Sequence, residues 1–124
     1  MPNFSKRVRL TGVFYWEKVN AIATTNVTVA SMDAGQTVDG VVLTAGMKVA
    51  LTNQTTGAED GVYDIKADGT PPVRSKGWEA GTSVVGYAVR ATAGTANKNK
   101  VFAVYAEPAV AGTNDMQFIE TDRI

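Results

Sequence analysis

A chain of 124 residues suits one domain, and at this size roughly two thirds of the surface of the unfolded chain is buried on folding, enough for a core without covalent staples. Twelve lysines and arginines balance twelve aspartates and glutamates, which argues against nucleic acid, where phosphate neutralisation dominates affinity, and against anionic membrane surfaces. The absence of both cysteine and histidine removes disulfides, thiolate chemistry, the commonest general base and the commonest metal ligand.

The choice of apolar residues points to sheet. There are 17 Val and 15 Thr but only three Leu (Leu10, Leu43 and Leu51). β-branched side chains are stiff in a helix and pack well on a pleated surface. No apolar run approaches the roughly 20 residues of a membrane helix, and MPNFSKRVRL lacks a signal-peptide core, so the expectation is a soluble, unsecreted protein.

In chain order, Lys6, Arg7 and Arg9 alternate with Val8 and Leu10, as in an extended segment with one polar side. Phe14, Tyr15 and Trp16 follow consecutively and cannot all face one core. Either this strand is buried on both faces or one ring anchors the chain to a neighbour, aromatics being enriched in interface centres. Val19 to Ala30 reads as small and β-branched, with no helical spacing, and MDAGQ from Met32 is a turn. TVDGVVL from Thr37 and MKVALTN from Met47, linked by Thr44-Ala45-Gly46, suggest a hairpin. In the second run Met47, Val49 and Leu51 oppose Lys48, Ala50 and Thr52, the period of a half-buried strand.

Asn53 to Asp60 is a polar loop, GVYDIK from Gly61 is a strand, and Pro71-Pro72 stops the sheet. SVVGYAVR from Ser83 alternates, and the loop ATAGTANKN follows it. KVFAVYA from Lys100 is apolar on both faces, as a central strand would be, and Met116 to Glu120 closes the series. The fold expected is all-β: an antiparallel β-sandwich or small β-barrel of about seven to nine short strands.

The stretch DGVVLTAGMKVALTNQTTGAEDGVYDI, from Asp39, resembles a β-domain repeated in bacteriophage tail-fibre and virion appendage proteins. The motifs carrying the resemblance are Val38-Asp39-Gly40, Leu43 to Gly46, Met47 to Leu51, Gln54-Thr55 and Gly61-Val62-Tyr63. Ala23 to Val29 is similar to the opening strand of that family, and Val85 to Thr95 to its strand and Gly-Thr loop. Val101 to Val104 and Met116 to Glu120 take the places of its two closing strands. Phe102 stands where that family often carries Trp. The resemblance spans roughly residues 21 to 120 and implies a particle-building role.

A search for catalytic chemistry finds none. Asp33, Asp39, Glu59, Asp60, Asp64 and Asp68 fall mainly in turns, where Asp bonds backbone amides, and no spacing matches a calcium loop. The expectation is therefore no catalytic, cofactor-binding or metal-binding residues. Trp78, between Lys76 and Glu79 along the chain, reads either as a ring covering one end of the sandwich or as a contact for a surface ligand such as a glycan.

Residues 1–20 are expected to form an extended N-terminal docking arm and first strand, and residues 21–124 the virion β-domain. Lys6, Arg7, Arg9, Phe14, Tyr15 and Trp16 are the expected partner-binding residues. The partners expected are the phage major capsid protein or other virion proteins, together with further copies of the chain as a trimer or dimer. The functional expectation is a non-enzymatic virion protein assembled in the host cytoplasm, foremost a capsid decoration or cement protein. The alternatives are a tail-fibre or baseplate appendage and a host-surface carbohydrate-binding adhesin.

Overall fold

The computed structural model describes residues 15–121, and over that range the protein is all-β. The strands are β1 (Tyr15–Val19), β2 (Ala21–Ala23), β3 (Thr37–Val38), β4 (Val41–Val42), β5 (Lys48–Leu51), β6 (Gly61–Asp64), β7 (Val73–Arg74), β8 (Tyr87–Ala91), β9 (Val101–Val104) and β10 (Phe118–Thr121). One sheet has the order β1-β8-β9-β10 and a second the order β2-β5-β6-β7, while β3 and β4 pair on their own. The only helical segments among the described residues are single 3₁₀ turns at Val29–Ser31 and Gly57–Glu59.

The two main sheets face each other as a small β-sandwich around Val19, Ile22, Ala50, Val62, Trp78, Val89, Phe102 and Val104. A second core lies on the other face of the β2-β5-β6-β7 sheet, where Met32, Val38 and Leu43 cover Val49, Leu51 and Tyr63. Burial on both faces explains why β5 departs from the half-buried strand expected. Val49 and Leu51 enter the second core and Ala50 the first. The short Ala50 side chain suits the closely packed space between the sheets.

Most strand pairs are antiparallel, but two are parallel: β1 with β8, from Tyr15 opposite Tyr87, and β2 with β5, from Ala21 opposite Val49. β1 and β2 are separated only by Asn20, where the chain bends and passes from one sheet to the other. The Asn20 backbone N–H donates to Lys48 O at 2.8 Å, and its side-chain Oδ1 accepts the Lys48 N–H at 2.9 Å. β1 is a full member of the first sheet.

Three local expectations change. The hairpin forms inside the TVDGVVL run, with β3 and β4 joined by Asp39-Gly40, both at positive φ (49° and 79°) as a tight two-residue turn requires. β5 pairs instead with β2 and β6. The Ala23 to Val29 segment leaves the sheet after Ala23, because the Gln54 side chain takes the place of a neighbouring strand. Its Nε2 donates to Val27 O at 2.7 Å and its Oε1 accepts the Val27 N–H at 2.8 Å. The run from Ser83 breaks at Gly86 (φ 87°), so β8 begins only at Tyr87. β9 is central and buried along its whole length, as its apolar sequence implies.

Candidate functional site

Of the expected partner-binding residues, Lys6, Arg7, Arg9 and Phe14 lie outside the described residues. Tyr15 and Trp16 open β1, an edge strand of the first sheet. Alternation along β1 sends their rings to opposite faces. Tyr15 packs against Tyr87, with ring centroids 4.9 Å apart. Burial, and then the Glu17 carboxylate, raises the Tyr15 phenol above its usual pKa. Trp16 stands beside Ala88 on the outer face and is 47% exposed. The strand is therefore not buried on both faces, and Trp16 offers a large apolar surface to the outside.

Trp78 is the opposite case: its exposure is 0%, so of its two readings the surface contact is corrected to a core position. Its ring stacks on Phe118 (6.2 Å between centroids, 13° between planes) and meets Tyr87 edge-on at 5.2 Å. The indole N–H donates to Glu17 Oε2 at 2.8 Å, which satisfies the polar handle of a buried Trp. Its neighbours Lys76 and Glu79 are on exposed positions. The fold turns it inward.

Glu17 also begins the polar cluster that ties the sheets together. Lys48 Nζ lies 3.7 Å from Glu17 and 3.4 Å from Asp64, and it donates to Ser75 Oγ. A Ser–Lys pair is one of the few nucleophilic arrangements open to a chain without His or Cys. Here the ammonium is committed to two carboxylates and Ser75 is sealed from solvent. The cluster joins β1, β5, β6 and the residue after β7.

The turn aspartates do bond backbone amides, but distant ones. Asp39 Oδ1 and Oδ2 accept the N–H groups of Ala96 and Asn97, at 3.0 and 2.9 Å. Asp33 accepts that of Gly69 at 2.7 Å. A Cβ on Gly94 would stand 2.3 Å from Asp39 Oδ2, and one on Gly40 would stand 2.2 Å from Thr95 Oγ1, so both glycines are needed for the close approach. The Val-Asp-Gly turn and the Gly-Thr loop, two of the motifs quoted above, are thus interlocked. Gln54 binds a third motif, the opening segment, through Val27.

Sequence reasoning missed Asp60 as an environment. Its side chain is 1% exposed and accepts the Gln54 N–H through Oδ1 at 2.7 Å. Burial raises its carboxyl pKa to about 7, with Asp115 adding to the rise, while the Gln54 N–H and Arg74 oppose it. Asp60 lines a cavity of about 280 Å³ between the ends of β2 and β5 and the segment leading into β10. No local pattern in NQTTGAED marks this, because Asp60 meets the cavity only through tertiary packing. Among the described residues no group of three or more His, Cys, Asp or Glu is arranged to hold a metal ion, and no helix is long and apolar enough to cross a membrane. No family model, curated protein or solved structure matches the chain.

Proposed function

We propose that this chain is a non-enzymatic structural protein of a bacteriophage particle, foremost a decoration protein that docks on the capsid lattice. The observation that carries the reading is the ordered series of motifs resembling the phage β-domain. Asp39-Gly40, Gly94-Thr95 and Gln54 hold separate loops to the same framework, so the pattern has a physical reason to recur as a set. Trp16 supports docking through the N-terminal side: an exposed indole on an edge strand, seven positions after Arg9 of the basic segment Lys6, Arg7 and Arg9. Apolar anchors of this kind supply the energy of an interface, and repetition over a symmetric lattice multiplies weak single contacts. The partner is then the major capsid protein or another virion protein, and edge strands β1 and β10 leave room for pairing into a closed dimer or trimer.

The adhesin reading loses its platform with the burial of Trp78. Antibody labelling of intact particles, viewed by electron microscopy, tests the proposal. Label over the head supports decoration, label restricted to the tail makes the protein an appendage, and particles without label overturn the virion reading. Trp16→Ala is expected to weaken attachment to the particle while the melting temperature stays unchanged.

A further inference from the structure

The cavity beside Asp60 has the chemistry of a ligand site. Phe102, Phe118, Asp60, Asp115, Asn53 and Gln117 are among the residues that line it. Among the described residues no lysine or arginine lines it. Asp60 is the unusual group: a buried carboxylate with no ion pair among the described residues. Arg74 is the nearest cation acting on it, but the guanidinium donates to the carbonyls of Asp60 (3.1 Å), Ala58 (2.7 Å) and Trp78 (3.5 Å) rather than to the carboxylate. Oδ1 of Asp60 accepts the Gln54 N–H at 2.7 Å, the one hydrogen bond to the Asp60 side chain among the described residues. Asp115 reaches the same cavity because Gly57 has no side chain; a Cβ there would stand 2.2 Å from Asp115 Oδ1. A buried carboxylate with no direct ion pair is costly, and a cation brought into the cavity would reduce that cost.

We propose that this cavity binds an alkylammonium group, presented either by a free amine or by a lysine side chain, with Asp60 and Asp115 taking the charge and Phe102 and Phe118 packing on the aliphatic stem. An ammonium has three donors, which two carboxylates and one carboxamide oxygen satisfy. Asn53 Nδ2 already donates to Thr24 O at 3.3 Å, which leaves its Oδ1 available to accept. The aromatic rings favour a cation on an apolar stem over a bare hydrated ion. At about 280 Å³ the space lies near the lower end of ligand sites and suits a chain of about four carbons. The inference stands apart from the particle-building reading and holds or fails without it.

The ammonium and a proton compete for the Asp60 carboxylate, with Glu59, Asp115 and Arg74 setting the surrounding field. With the Asp60 carboxyl titrating at about 7, affinity should fall about tenfold from pH 8 to pH 6. The test is amide chemical-shift titration of the ¹⁵N-labelled full chain with n-butylammonium chloride and with Nα-acetyl-lysine methylamide. 1-Butanol serves as the uncharged analogue, and calcium chloride tests for a metal. The expected result is saturable shifts at Asn53, Asp60 and residues 115–118, absent with butanol, weaker at pH 6, and lost in Asp60→Asn and in Asp115→Asn. The Asp115 variant alters an exposed residue, so it keeps the test valid if Asp60→Asn disturbs folding. Binding of butylammonium but not the lysine derivative assigns the site to free amines. Equal shifts with butanol, no saturable shifts, binding unchanged in Asp115→Asn, or tighter binding of calcium with the same shifts would each overturn the proposal.

Discussion

Replacing Trp78 measures how far the two sheets depend on one ring. Trp78 is fully enclosed between Phe118 and Tyr87, and its N–H is bonded to Glu17. Trp78→Ala should cost about 3–5 kcal/mol through lost burial and the cavity left behind. The upper part of that range is expected, because two aromatic pairs disappear as well, each contributing about 0.5–1.5 kcal/mol in other settings. For a domain of this length that lowers the melting temperature by roughly 10–20 °C, against a total stability on the order of 5–15 kcal/mol. Trp78→Phe keeps an aromatic ring but leaves Glu17 without its indole donor, and a loss of about 2 kcal/mol is expected. Thermal unfolding followed by circular dichroism gives the values. Fluorescence checks the placement independently, since the chain has two tryptophans. In Trp16→Phe the remaining Trp78 should emit in the blue and resist iodide, whereas in Trp78→Phe the remaining Trp16 should be readily quenched. A melting temperature for Trp78→Ala within about 2 °C of the parent, a shift far below that of a core cavity, would refute the reasoning and return Trp78 to the surface.

Three further outcomes follow from other parts of the fold. The Asp60 carboxyl is raised by burial from 3.8 to about 7 in the folded chain, so between those values the native state holds a proton that the unfolded state releases. Stability should therefore be highest at the acid end of that window and fall as pH rises through it, by at most about 1.4 kcal/mol per unit; Asp60→Asn should flatten this decline in urea titrations at pH 5 and pH 8. Gln54→Ala should cost about 2–3 kcal/mol, since it strips both partners from the Val27 backbone, and amide exchange at Val27 should accelerate. Gly94→Ala places a Cβ on Asp39 at φ 133°, and a loss of about 1–3 kcal/mol is expected by chemical denaturation.

The sequence by itself determined the fold class. Seventeen valines, three leucines and turn residues every ten positions or so leave little but short strands. It also showed that β9 is central, because Val101 to Val104 is apolar on both faces. These are local properties, carried by rotamer stiffness, side-chain alternation and the φ > 0 that glycine tolerates. Tertiary structure alone decided how the strands pair. β1 and β2 find their parallel partners in β8 and β5, and Lys48, whose backbone holds Asn20 between them, lies 28 positions away. It also decided which polar side chains replace a strand or face a cavity. Gln54 reaches Val27 and Asp39 reaches Ala96 over 27 and 57 residues. Trp78 and Asp60 show why such positions are illegible in the sequence. Each sits in a polar stretch that reads as surface, and each is buried by partners brought from far along the chain.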